Sequence, residues 1–94
     1  MVTVLLFGKY SSEALKGISG ERTKKSNSTI ESLGGKVISM YALLGQFDIV
    51  LVVEFPDMES AMKISIELSK LTGIAFTTMP AIPVEKFDKI MAKA

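Results

Sequence analysis

The stretch from Phe47 to Phe55 carries apolar side chains on both sides of what reads as one strand, and this narrows the choice of fold more than any other feature. Side chains along a strand alternate between faces. One side of the run holds Phe47, Ile49, Leu51, Val53 and Phe55. The other holds Asp48, Val50, Val52 and Glu54, so its middle is apolar as well. The run from Val2 to Tyr10 behaves alike, with Val2, Val4 and Leu6 set against Leu5 and Phe7. Strands buried on both faces lose the alternation of apolar and polar residues. A sheet built from such strands needs a cover on each side.

The remaining elements follow from turn and cap chemistry. Ser11, Ser12 and Glu13 open a helix after the first strand. Gly17 and Gly20 interrupt that helix, which resumes from Glu21 to Leu33 and stops at Gly34-Gly35. Lys36 to Leu44 reads as the second strand. Gly45-Gln46 reads as a tight turn, and Phe47 to Phe55 completes a hairpin. Pro56-Asp57 opens a second long helix with Asp57 as its N-cap. Its core stripe is Ala61, Ile64, Leu68 and Leu71, and Gly73 ends it. Ile74 to Ala81 is the fourth strand, and Pro80 marks it as an edge. Pro83 begins a last short helix with Val84, Phe87, Ile90 and Met91 on one side. The order strand–helix–strand–strand–helix–strand predicts one α+β domain over residues 1–94. The expected fold is a ferredoxin-like βαββαβ unit with a four-stranded antiparallel sheet and a short C-terminal helix.

In this topology both long helices pack on one face of the sheet. The last helix is too short to cover the other. Burying one aliphatic or aromatic side chain is worth about 1.5–3 kcal/mol. Leaving several in water forfeits on the order of 10 kcal/mol, comparable to the stability of a whole domain. A second copy laid sheet to sheet recovers it, and closed two-fold pairing is the commonest arrangement. The expectation is a homodimer or larger homo-oligomer. Met58, Met62 and Ile66 form another apolar line, rotated away from the core stripe of their helix. Such residues most often pack at a rim; here they also offer a further contact surface.

Composition removes several classes of function. The 94 residues are 48% hydrophobic and 22% charged, with net charge +1. Arg22 is the single arginine. Base and phosphate readout leans on arginine and on a basic patch, so nucleic acid is not an expected partner. There is no Cys and no His. Disulfides, zinc sites of the usual kind, thiol chemistry and imidazole acid–base chemistry have no residues to carry them. No metal or cofactor is expected. Gly17-Ile18-Ser19-Gly20 lacks the Lys-Ser/Thr ending of a phosphate loop. The N-terminal apolar run has no basic leader and is too short to cross a bilayer, so the expected location is the cytoplasm, away from membranes.

A pattern spans most of the chain: Gly34-Gly35-Lys36, Tyr41, Gly45-Gln46-Phe47-Asp48 and Glu54-Phe55-Pro56-Asp57, with Arg22 before it and Thr77-Thr78 after it. Its order and spacing resemble the GYD domain family. There a Gly–Tyr–Asp signature opens the third strand; here Gly45, Phe47 and Asp48 match it, and Phe47 lacks the phenol hydroxyl. The resemblance runs from Val2 to about Ala81. It implies a member of the dimeric α+β barrel group, in a family of unknown function. The same region is similar to the C-terminal ligand-binding domain of the feast/famine (Lrp/AsnC) regulators, which pair through their sheets and sense amino acids at subunit contacts. With no helix-turn-helix ahead of it in this sequence, the likeness implies a stand-alone sensor.

Five residues are candidates for binding a ligand; none is assigned to catalysis. Arg22 shares a helix line with Ser26, Thr29, Ile30 and Leu33, which turns its guanidinium toward the sheet or the cleft beside it. It would clamp a carboxylate or phosphate there, or more simply pair with Glu21, Asp48 or Glu54. Asp48 either faces a ligand or binds backbone amides of the turn, and the turn role is the more common one. Glu54 shares its face but lies about 20 Å along the strand, too far for a common site in one chain. Tyr41, with Val37, Ser39 and Leu43 on its side, reads as packing or as a cavity wall. Thr77 is a strand residue first and a pocket group second.

Three functions compete. One is a binding or regulatory module without catalysis, with a small-molecule site between sheet and helices or at subunit contacts. The alternative is a cofactor-free monooxygenase or isomerase whose apolar cavity is lined by Arg22, Tyr41 and Asp48. The third is a structural role that uses the Met58–Met62–Ile66 line for assembly.

Overall fold

The computed structural model describes residues 1–93. The first strand, β1 (Val2–Tyr10), ends at Ser11, whose hydroxyl accepts the Ala14 amide and caps α1 (Ser12–Lys16). The expected interruption follows at 17–19. Ser19 then caps α2 (Gly20–Ser32) in the same way, accepting the Arg22 amide. Strands β2 (Lys36–Ala42) and β3 (Ile49–Phe55) form the hairpin. Next come α3 (Met58–Thr72), β4 (Ile74–Ala81) and α4 (Val84–Ala92). The sheet order is β2-β3-β1-β4, with every pairing antiparallel. This is the ferredoxin-like arrangement that the sequence predicts.

The core lies between one face of the sheet and the two long helices. Val4, Leu6, Leu51, Val53 and Phe55 point into it from β1 and β3. Ile30 comes from α2, and Ala61, Ile64 and Leu68 from α3. Close packing over β1, between side chains of β3 and β4, requires a residue without a side chain. A Cβ on Gly8 would stand 2.6 Å from a methyl of Ile49 and 2.7 Å from one of Ile74. At the end of α3, Gly73 takes φ 75°, the left-handed conformation that turns the chain into β4.

The structure departs from the sequence reading in four places. The hairpin loop is Leu43–Asp48 rather than a tight turn at Gly45-Gln46, so both strands are two residues shorter there. Phe47 leaves the ladder and packs on Phe7, ring centroids 5.1 Å apart, on the face opposite to Ile49 and Leu51. The core stripe of α3 ends in Thr72 instead of Leu71. Leu71 is exposed, whereas the Thr72 hydroxyl donates to the Leu68 carbonyl and accepts the Ile74 amide. A register shift between Val37 and Ser39 reverses the facing of the rest of β2.

The carboxylate of Asp57 accepts the Ser60 amide at 2.8 Å and caps α3. This bond and the Ser60 side chain hold its pKa below the ordinary 3.8. Folding therefore favours the charged form. The stabilisation is complete above the ordinary carboxylate range and disappears as pH falls through the lowered folded value. Asp57→Ala is expected to lower the thermal midpoint at neutral pH. Its gap from wild type should close as pH drops from about 4 toward 2. A gap that stays constant over that range, followed by circular dichroism, would contradict this role.

Candidate functional site

The sheet has one covered face and one open face. Helices α2 and α3 cover the first. On the second, β1 presents Leu5 and Phe7, and β3 presents Val50 and Val52. The register sets Leu5 beside Val52 and Met79, and Phe7 beside Val50 and Thr77. Phe47 folds over the end of this cluster from the hairpin loop. Tyr41 lies across from Val50, and Glu54 lies between Thr3 and Lys36 at the far end. Met79 and Tyr41 are exposed, and Tyr41 is 62% accessible. No residue of α4 is buried, so the last helix does not cover this face or pack firmly elsewhere. The result is an apolar surface with a polar margin of Tyr41, Glu54 and Thr77.

The five candidate residues do not converge within one chain. Tyr41, Glu54 and Thr77 lie on the open face, spread across three strands. Tyr41 does not share a side with Val37, because the bulge turns it outward. Arg22 lies on the helix side. Its Nη1 donates to the Ala14 carbonyl at 2.6 Å, and its guanidinium sits 5.5 Å from the centre of the Tyr10 ring. This replaces the ion pair that the sequence suggested. The cation ties the C-terminal end of α1 to α2 and the sheet, adding a second donor to the Ala14 carbonyl beside the Gly17 amide. Beside it lies a cavity of about 30 Å³ between Tyr10, Ser26, Met40, Leu68 and Thr72. That is room for a water molecule, not for a metabolite.

Asp48 is a hinge of the hairpin. Its Oδ2 accepts the Tyr10 amide at 2.8 Å and lies 3.7 Å from the Lys9 ammonium. Its own amide donates to Gly8, and its carbonyl accepts the Leu43 amide. The expected binding of backbone amides is present, but the amide that its carboxylate takes belongs to β1, 38 residues away in sequence. The bonds explain why the loop opens: they pin residue 48 to the end of β1 and swing Phe47 onto Phe7.

A second uncovered surface lies beside the edge strand. Met58, Met62 and Ile66 of α3, with Phe76 and Thr78 of β4, line an open groove of about 660 Å³. Ser65 and Thr78 share a hydrogen bond at its floor.

The model of the GYD domain family matches residues 5–91. The chain belongs to the GYD domain family. A relative from Thermus thermophilus, named glutamine synthetase and cystathionine beta-lyase binding protein, is 35% identical over 65 residues, covering 68% of each chain. Among solved structures, FFRP-DM1 superposes with TM-score 0.63 at 24% identity, over 87% of this GYD chain and all of that one. The leucine response regulatory protein LrpA of Mycobacterium tuberculosis gives TM-score 0.58 at 8% identity. An AsnC family transcriptional regulator from Agrobacterium tumefaciens gives 0.58 at 20%. The GYD chain spans about half the length of these two regulators, 51% and 50%. At such identities the likeness is one of fold. Among the described residues no helix is long and apolar enough to cross a membrane.

Proposed function

We propose that this GYD chain is a small homo-oligomeric binding module with a regulatory role, which pairs through its open sheet face and engages a partner at surfaces created by assembly. The observation that carries the proposal is the apolar cluster of Leu5, Phe7, Phe47, Val50 and Val52, which no helix among the described residues packs firmly upon. The Thermus thermophilus relative is named for binding two enzymes, which supports a protein as the partner. The cavity beside Arg22 is far smaller than the several hundred Å³ that ligand sites occupy, so a small ligand of the open face would lie between subunits. The margin of Tyr41, Glu54 and Thr77 would then face it. Catalysis by a joint site of Arg22, Tyr41 and Asp48 gains no support from the geometry. Arg22 and Tyr41 lie on opposite sides of the sheet.

The test is sedimentation of the purified chain alone, with glutamine synthetase and with cystathionine beta-lyase, alongside a thermal-shift screen of amino acids and carboxylates. An assembly of identical copies that co-sediments with an enzyme, or is stabilised by a metabolite, is the expected result. A monomer that does neither would overturn the proposal.

A further inference from the structure

Helix α4 has an apolar stripe that the described residues of the chain do not bury. Val84, Phe87, Ile90 and Met91 lie on one side of the helix and are all at least half exposed. A nine-residue helix is below the length at which helices persist in water without packing. Helix α4 therefore implies a surface that it lies on. The described residues of its own chain do not provide one. Pro83, with φ −57° and ψ 142°, starts the helix at the end of the edge strand β4, and no part of α4 becomes buried.

The groove beside α3 has the complementary character. From Met58 to Ile66 its apolar line rises about 12 Å, and the stripe from Val84 to Met91 rises about 10 Å. Lys63 lines the groove next to Met62. Asp88 borders the stripe next to Phe87. Of the two charges beside Phe87, Lys86 and Asp88, the acid is opposite in sign to Lys63. Met58 also lines the crevice at the root of α4, together with Pro83 and Lys86, so the groove is continuous with the point where α4 departs. Surfaces of one chain that match each other but do not meet in it are suited to exchange between copies. A reciprocal exchange closes on itself.

We infer that α4 of one copy docks in the α3–β4 groove of a second copy, with Phe87 over Met62 and Asp88 facing Lys63. This interface lies on the helix side of the sheet and is separate from pairing through the open face.

The chain has no cysteine, so site-directed cross-linking is clean. Lys63→Cys chains and isotopically labelled Asp88→Cys chains would be mixed at micromolar concentration and treated with a short bismaleimide. Mass spectrometry should find the mixed covalent pair, and adding Phe87→Glu to the Asp88→Cys chain should abolish it. No mixed pair, or one that Phe87→Glu leaves unchanged, would overturn the inference. A double variant carrying both cysteines would be tested at high dilution. A link formed there inside single chains would assign the groove to the chain's own helix and also overturn it. Repeating the mixture with Val52→Glu in both chains separates the two interfaces. Docking of α4 survives that change, whereas pairing through the open face does not.

Discussion

Val52→Glu is expected to abolish pairing through the open face and so reduce the assembly to smaller units without unfolding its chains. Val52 sits at the middle of the open face, between Leu5 on one neighbouring strand and Ser39 on the other. In an isolated copy a glutamate there extends into water at little cost. In a two-fold pair two such carboxylates are brought together in an apolar contact. Desolvating an unpaired charge costs several kcal/mol, and symmetry counts it twice. A loss of about 4 kcal/mol already raises the dissociation constant by about three orders of magnitude. The expected readings are a shift to lower mass in sedimentation equilibrium and an unchanged far-ultraviolet spectrum. Val53→Glu is the control. Its side chain faces the core, and the same charge there should prevent folding. A Val52→Glu protein of undiminished mass would show that the open face is not where copies meet.

The contrast between residues 52 and 53 also shows how much of the fold the amino-acid pattern carries by itself. The period of two in Phe47–Phe55, and the apolar middle on both of its sides, indicate a sheet with two hydrophobic faces. Ser11, Asp57 and Gly73 mark helix ends through local chemistry: a hydroxyl or carboxylate at an N-cap, and a residue able to take positive φ. Such signals need no knowledge of distant partners. The readings that changed for Tyr41 and Phe47 depend on pairing between strands distant in sequence. Tyr41 turns outward because a bulge between Val37 and Ser39 shifts the register, and one inserted residue exchanges the two faces of everything after it. Phe47 leaves its strand because Asp48 binds Tyr10, whose position in sequence gives no hint of the contact. Leu71 loses its place in the stripe to Thr72 because the helix ends there and Thr72 bonds into β4. The open groove of α3 was visible as the line of Met58, Met62 and Ile66. Its other wall, Phe76 and Thr78, required the sheet order.

Replacing Arg22 by leucine is expected to destabilise the folded chain by about 2–4 kcal/mol, and this separates its structural role from a ligand-binding one. Hydrogen bonds from charged donors contribute about 1.5–3 kcal/mol, and a cation over an aromatic ring adds about 0.5–1 kcal/mol. Arg22 makes both contacts, to the Ala14 carbonyl and to Tyr10, from a half-buried position. Leucine also leaves the Ala14 carbonyl without that donor, beside a residue that is almost completely buried. The fit around the guanidinium is close: a Cβ on Gly17 would lie 2.9 Å from Nη1. Arg22→Lys keeps the charge but loses the planar fork, and should recover only part of the loss. The measurement is urea unfolding in the Val52→Glu background, where pairing through the open face does not contribute to stability. If Arg22 served instead to clamp an anion between subunits paired through the open face, its removal would leave the unfolding midpoint in that background unchanged and would abolish anion-induced stabilisation of the wild-type assembly. The direction of the hydrogen bond, into a helix end of its own chain, predicts the first outcome.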